Sequence, residues 1–166
     1  MKAVWKLVVV LACASVVWAA QSNLQSEPTG ISVEQQKAIE KAVLQVHAQM
    51  MQADKDRDTD KFFAPILDSD KGPILQDGTL FKTRQEALDM VRAGYAQTVK
   101  MERTYDQTYV TVLSPQTAIL AATGTSSATL TDGRVVGAPF AVSMVFVLRD
   151  GQWKVAQGHF SSPNQR

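Results

Sequence analysis

The sequence predicts an α+β fold: a cone-shaped, strongly curved antiparallel sheet covered by N-terminal helices. Three observations carry this. Apolar residues recur at helical spacing in the first half of the chain (Ile39, Val43, Val46, Met50, then Leu88, Val91, Tyr95, Val99). From Tyr105 onward the chain turns to Tyr, Thr and Val runs separated by tight-turn signals at Ser114-Pro115, Asp132-Gly133 and Asp150-Gly151. Helical patterns precede strand patterns instead of alternating with them, which favours α+β over a parallel α/β sheet.

The first nineteen residues read as a secretory signal. Lys2 and Lys6 precede an apolar run from Leu7 to Val17, and Val17-Trp18-Ala19 supplies small residues where a signal peptidase cuts, with cleavage after Ala19 or Ala20. The run is shorter than the roughly 20 residues that span a bilayer, so no membrane association is expected after cleavage. Export places the protein in the periplasm or outside the cell. Residues 20–31 form a polar, flexible lead, 32–161 the folded domain and 162–166 a short tail.

Ser32 followed by Gln35 is a capping box and starts the first helix, which runs to about Lys55. The alternating charges from Asp54 to Asp58 read as its solvated end, and a short helix carries Phe62 and Phe63. Ile74-Leu75-Gln76 and Thr79-Leu80-Phe81 flank Asp77-Gly78 as a short hairpin. Thr83 and Glu86 cap a further helix. Strands then follow over Tyr105–Leu113, Ala118–Leu130, Val135–Leu148 and Gln152–Ser161. The third is nearly all apolar, so it should be central and covered on both faces, with Pro139 marking a bulge or a locally unpaired stretch. Gly124 should allow a bend.

Composition excludes several functions. The net charge is +1, too little basic excess to bind nucleic acid. The sole cysteine, Cys13, falls in the signal, so the exported chain has no thiol for a disulfide, a thiolate nucleophile or a thiolate metal site. His47 and His159, the two histidines, lack metal-ligand spacing. No phosphate loop, nucleophile elbow or dinucleotide fingerprint is present, and neither a metal nor a cofactor is expected.

On the last strand, simple alternation puts Trp153, Val155, Gln157, His159 and Ser161 on one face, an apolar base leading to three polar groups. Such a face suits a ligand cavity. Gln157, His159 and Ser161 are therefore pocket candidates, and His159 is the candidate acid–base group. Tyr95, Tyr105 and Tyr109 are further pocket candidates, the last two on a common strand face. His47 borders the first helical stripe and reads as a core-edge residue. Asp77 sits in a turn and Asp106 opposite Tyr105, so both read as facing solvent.

The order helix, short helix, hairpin, helix and four-stranded meander resembles the nuclear-transport-factor-2-like superfamily. The ending Phe146-Val147-Leu148-Arg149-Asp150-Gly151-Gln152-Trp153-Lys154-Val155, followed by Gln157-Gly158-His159-Phe160-Ser161, resembles its SnoaL-like branch, where many members carry His-x-His-x-Ser. Here Gln157 replaces the first histidine. The resemblance implies a cone-shaped pocket for a small, mostly apolar molecule. It also implies two alternatives: cofactor-independent isomerase, cyclase or dehydratase chemistry by general acid–base catalysis, or a dimerising assembly module. A homodimer is expected on the same ground.

Overall fold

A computed structural model describes residues 30–163. The expected secretory signal and most of the expected lead lie outside the described residues, as do 164–166. Among the described residues, no helix is long and apolar enough to cross a membrane.

Helix α1 spans Val33–Lys55. Its start is the expected reciprocal box: the Ser32 hydroxyl accepts from the Gln35 N–H and the Gln35 side chain accepts from the Ser32 N–H. Its buried face is Val43, His47, Met50, Ala53 and Asp54, so the stripe continues to the last turn and takes a carboxylate with it. The expected solvated helix end is thus corrected at Asp54, which is only 3% exposed. Helix α2 spans Thr59–Phe63 and drives Phe62 and Phe63 into the core. Helix α3 spans Arg84–Ala96. The Thr83 hydroxyl accepts from the Glu86 N–H as expected, but Glu86 accepts from the Lys82 N–H, one residue short of a reciprocal box. The helix ends before Val99, which is exposed on the next strand.

Strands β1 (Ile74–Gln76) and β2 (Thr79–Phe81) form the hairpin, with left-handed Asp77 and Gly78 in its turn. Strands β3 (Thr98–Ser114), β4 (Thr117–Leu130), β5 (Val135–Arg149) and β6 (Gln152–Ser161) form the meander. One six-stranded sheet results, in the order β2-β1-β6-β5-β4-β3, all antiparallel except β1 beside β6. The helices lie against one face of it, and the core between them centres on Phe63, Phe146, Met50, Leu120 and Val155.

Strand β5 lies between β4 and β6, as its apolar run predicts, but it is not covered on both faces. Val135 and Val136 remain 69% and 44% exposed. Nor does Pro139 cause a bulge: it pairs with Thr125 in an unbroken β4–β5 register. The irregularities fall elsewhere. Val99, Asp106 and Leu113 are extra residues on β3, Asp106 lying between Tyr105 and Gln107, and Ala156 is an extra residue between Val155 and Gln157 on β6. Bulges increase local twist and bend the strand. Gly124 pairs with Tyr105 next to the Asp106 bulge, and a Cβ there would lie 2.1 Å from the Thr104 carbonyl oxygen. Only glycine allows the two backbones this approach.

Candidate functional site

The Ala156 bulge decides which β6 side chains face the helices. Alternation restarts after the extra residue, so Val155, Gly158 and Phe160 point inward while Gln157 and His159 point outward. The expected common face for Trp153, Val155, Gln157, His159 and Ser161 is therefore corrected. His159 is exposed and lines neither the cavity that holds Tyr95 nor the cleft that holds Ser161. The exposed Gln157 side chain donates to the Gly72 carbonyl at 3.4 Å. Ser161 lines a small cleft at the sheet end with Gln76, Ser126 and Phe140.

The Asp106 bulge does the same on β3. Tyr105 points inward and Tyr109, at 63% exposed, points out, so their expected common face is also corrected. Tyr105 packs edge-on against His47 (centroids 5.1 Å apart) and Phe140 (5.2 Å), and burial pushes its hydroxyl pKa up to about 12. It packs beside the cavity described next and does not line it.

A partly open cavity of about 180 Å³ lies between α2, α3 and the sheet. Phe62, Phe63, Ile74, Met90, Val91, Met101 and Phe160 make most of its wall. Its polar end is Asp54 from α1, Tyr95 from α3 and Arg103 from β3. The Tyr95 hydroxyl donates to Asp54 Oδ1 at 2.5 Å, and Arg103 Nη2 lies 3.3 Å from the same oxygen. The other carboxylate oxygen, Oδ2, takes no hydrogen bond among the described residues. Burial raises the Tyr95 pKa, and the Asp54 charge and hydrogen bond raise it further. The tyrosine therefore stays a donor. Arg103 also sits over the Phe140 ring and lines the cleft that holds Ser161, so it stands between cavity and cleft.

Local structure fixes this end. Arg57, in left-handed conformation just past α1, donates to the Thr98 carbonyl, and the Thr98 hydroxyl donates to the Gly94 carbonyl at 2.9 Å. The ends of α1 and α3 and the start of β3 are thereby tied together around Asp54.

Of the predicted pocket residues, only Tyr95 lines this cavity, and Ser161 lines the adjoining cleft. Asp54 and Arg103 were missed. Asp54 carried a signal: it stands four residues after Met50 and seven after His47, on the same helical stripe. No metal-binding group of three or more His, Cys, Asp or Glu occurs among the described residues.

Comparison with known proteins bears on the fold. The SnoaL-like domain family matches residues 43–165. No curated protein matches the chain. Similar solved structures include a nuclear transport factor 2-like superfamily protein from Salmonella enterica serovar Typhimurium (11% identity, TM-score 0.70, covering 78% of this chain and 94% of that one). Hexachlorocyclohexane dehydrochlorinase from Novosphingobium barchaimii is similar at 13% identity and TM-score 0.68, covering 80% and 91%. A ketosteroid isomerase-like protein from Erwinia carotovora atroseptica is similar at 15% identity and TM-score 0.63, covering 75% and 95%. At these identities the likeness concerns the fold alone.

Proposed function

The chain belongs to the SnoaL-like domain family, and from that premise we propose that it binds a small, mostly apolar molecule in the cavity ending at Asp54, Tyr95 and Arg103. The observation that carries this is the lining: an apolar wall with one convergent polar end, the usual composition of a ligand site. The site thus lies at the α1–α3 end of the fold, away from His159. Substituting Val91, a half-buried wall residue, by Phe tests it. The protein isolated from its own host should carry a ligand visible by native mass spectrometry, and Val91→Phe should lose it while staying folded. A ligand retained by that variant would refute the assignment.

One observation favours a second reading, cofactor-independent acid–base catalysis. A carboxylate held against a cation inside an apolar cavity is placed to take a proton from a bound molecule. Asp54 would be the base, Tyr95 would orient it, and Arg103 would balance negative charge developing on the substrate. Asp54→Asn would then abolish turnover but keep binding; unchanged turnover would exclude this chemistry.

We further propose export to the periplasm or beyond, on the Lys2-to-Ala19 pattern, and a homodimer joined through the open sheet face. Exposed Tyr109 and Leu113 favour the dimer. N-terminal sequencing of the native protein and light scattering test these two points.

A further inference from the structure

The size, charge balance and donor pattern of the cavity narrow its ligand. We infer that it takes a neutral single-ring molecule bearing one hydroxyl, of the phenol class, with the hydroxyl set between Asp54 and Arg103. This rests on the cavity being a ligand site.

Size sets the first limit. The cavity is about 180 Å³, and a buried apolar cavity of about 150 Å³ takes a benzene-sized molecule. Sites for larger ligands run to roughly 300–1,000 Å³. One ring fills this volume; a second fused ring would have to reach out through the open side.

The wall favours an aromatic ring. Phe62, Phe63 and Phe160 offer ring edges and faces, and Met90 and Met101 bring thioethers that pack well on aromatic rings.

Charge sets the next limit. Asp54 and Arg103 already balance each other at the polar end. An ammonium on the ligand would sit beside the guanidinium, and a carboxylate beside the aspartate. Either would bring an uncompensated charge into apolar surroundings, which is costly.

Donor pattern chooses among the neutral groups. Asp54 Oδ1 is taken by Tyr95 and Arg103, while Oδ2 takes no hydrogen bond among the described residues and is open to a donor on a bound molecule. Arg103 offers N–H donors and needs an acceptor. A hydroxyl does both with one oxygen. Its O–H donates to Oδ2 and its lone pair accepts from the guanidinium. A ketone could only accept, leaving Oδ2 unmatched.

Calorimetric titration of the purified protein with benzene, phenol, 2-naphthol, benzoate and benzylammonium tests this, with the methyl resonances of Met90 and Met101 locating the bound molecule. Phenol should bind at least about tenfold tighter than benzene, as a hydrogen bond to a charged group allows. It should shift both methyl signals, and the other three compounds should bind more weakly than benzene. Val91→Phe should lose phenol and benzene alike. Equal affinity for benzene and phenol would overturn the hydroxyl assignment yet leave a ligand cavity standing. Tightest binding of either ion would overturn the neutral head, and tight naphthol binding the single ring. If no compound binds, or Val91→Phe retains phenol, the cavity reading itself falls and this inference with it.

Discussion

The Tyr95 hydroxyl donates to Asp54 Oδ1 at 2.5 Å, joining residues 41 positions apart in the chain. The bond ties the end of α1 to the end of α3 and holds a carboxylate in an otherwise apolar interior. Arg103, one quarter exposed, supplies the opposite charge at 3.3 Å. Cavity, charge pair and helix ends are therefore one structural unit.

Breaking this unit from either side should be costly. Tyr95→Phe leaves Asp54 Oδ1 with Arg103 as its remaining partner and should destabilise the fold by about 1–3 kcal/mol. Arg103→Met removes the countercharge of a buried carboxylate and should cost more, about 3 kcal/mol, near the low end for buried pairs because Arg103 is partly solvated. Urea denaturation measures both. A loss below half a kcal/mol in each variant would show the pair to be dispensable.

Stability should decline in mild acid through His47. This residue is 6% exposed, its Nε2 has no hydrogen-bond partner, and burial lowers its pKa to about 4 from an ordinary 6.5. The Tyr105 ring packs perpendicular to it, with centroids 5.1 Å apart. The unfolded chain holds the proton more tightly than the folded one. The contribution is full above pH 6.5, falls as pH drops, and is gone near pH 4. At about 1.4 kcal/mol per pH unit, about 3 kcal/mol is at stake across that window. Denaturation at pH 7.5, 6 and 5 should show the slope, and His47→Leu should flatten it.

His159→Ala should change little. The imidazole is exposed, on the side of β6 away from the helices. Stability should stay within about 0.5 kcal/mol of the parent, typical of surface substitutions. Occupancy of the native ligand should be unaltered. A lost ligand would return the site to the end of β6.

Gly124→Ala should be severe. Its Cβ would lie 2.1 Å from the Thr104 carbonyl oxygen and 2.9 Å from Phe140 Cζ, so β3 and β4 must part at the bend. Overpacking of this kind costs typically about 1–3 kcal/mol, and backbone contact puts the variant at or above the top of that range. A thermal melt indistinguishable from the parent would show that the sheet relaxes freely there.

Much of the architecture was legible because its signals are local. The Ser32–Gln35 box, the Asp77-Gly78 turn and the strand-forming runs each act through neighbours in sequence, and the elements appear where those signals fall, except that β3 begins at Thr98, ahead of the expected Tyr105 and within the expected helical stripe. The site was less legible. Gln157, His159 and Ser161 were assigned a face by counting in twos, which holds only while the register is unbroken. No residue type at Ala156 or Asp106 announces a bulge; the matching of β6 to β5 and of β3 to β4 creates it. Asp54 looked like part of a solvated charge run, although its stripe position already placed it beneath Met50.

The chain's own pattern of apolar spacing, caps and turns determined the helices, the meander and the α+β class, because those preferences operate within a few residues. Tertiary packing alone decided that two inserted residues reverse the facing of the last and first long strands, and that a carboxylate, a phenol hydroxyl and a guanidinium meet at one cavity end. Such meetings depend on registers and helix placements that strands and helices set for one another, and no single segment encodes them.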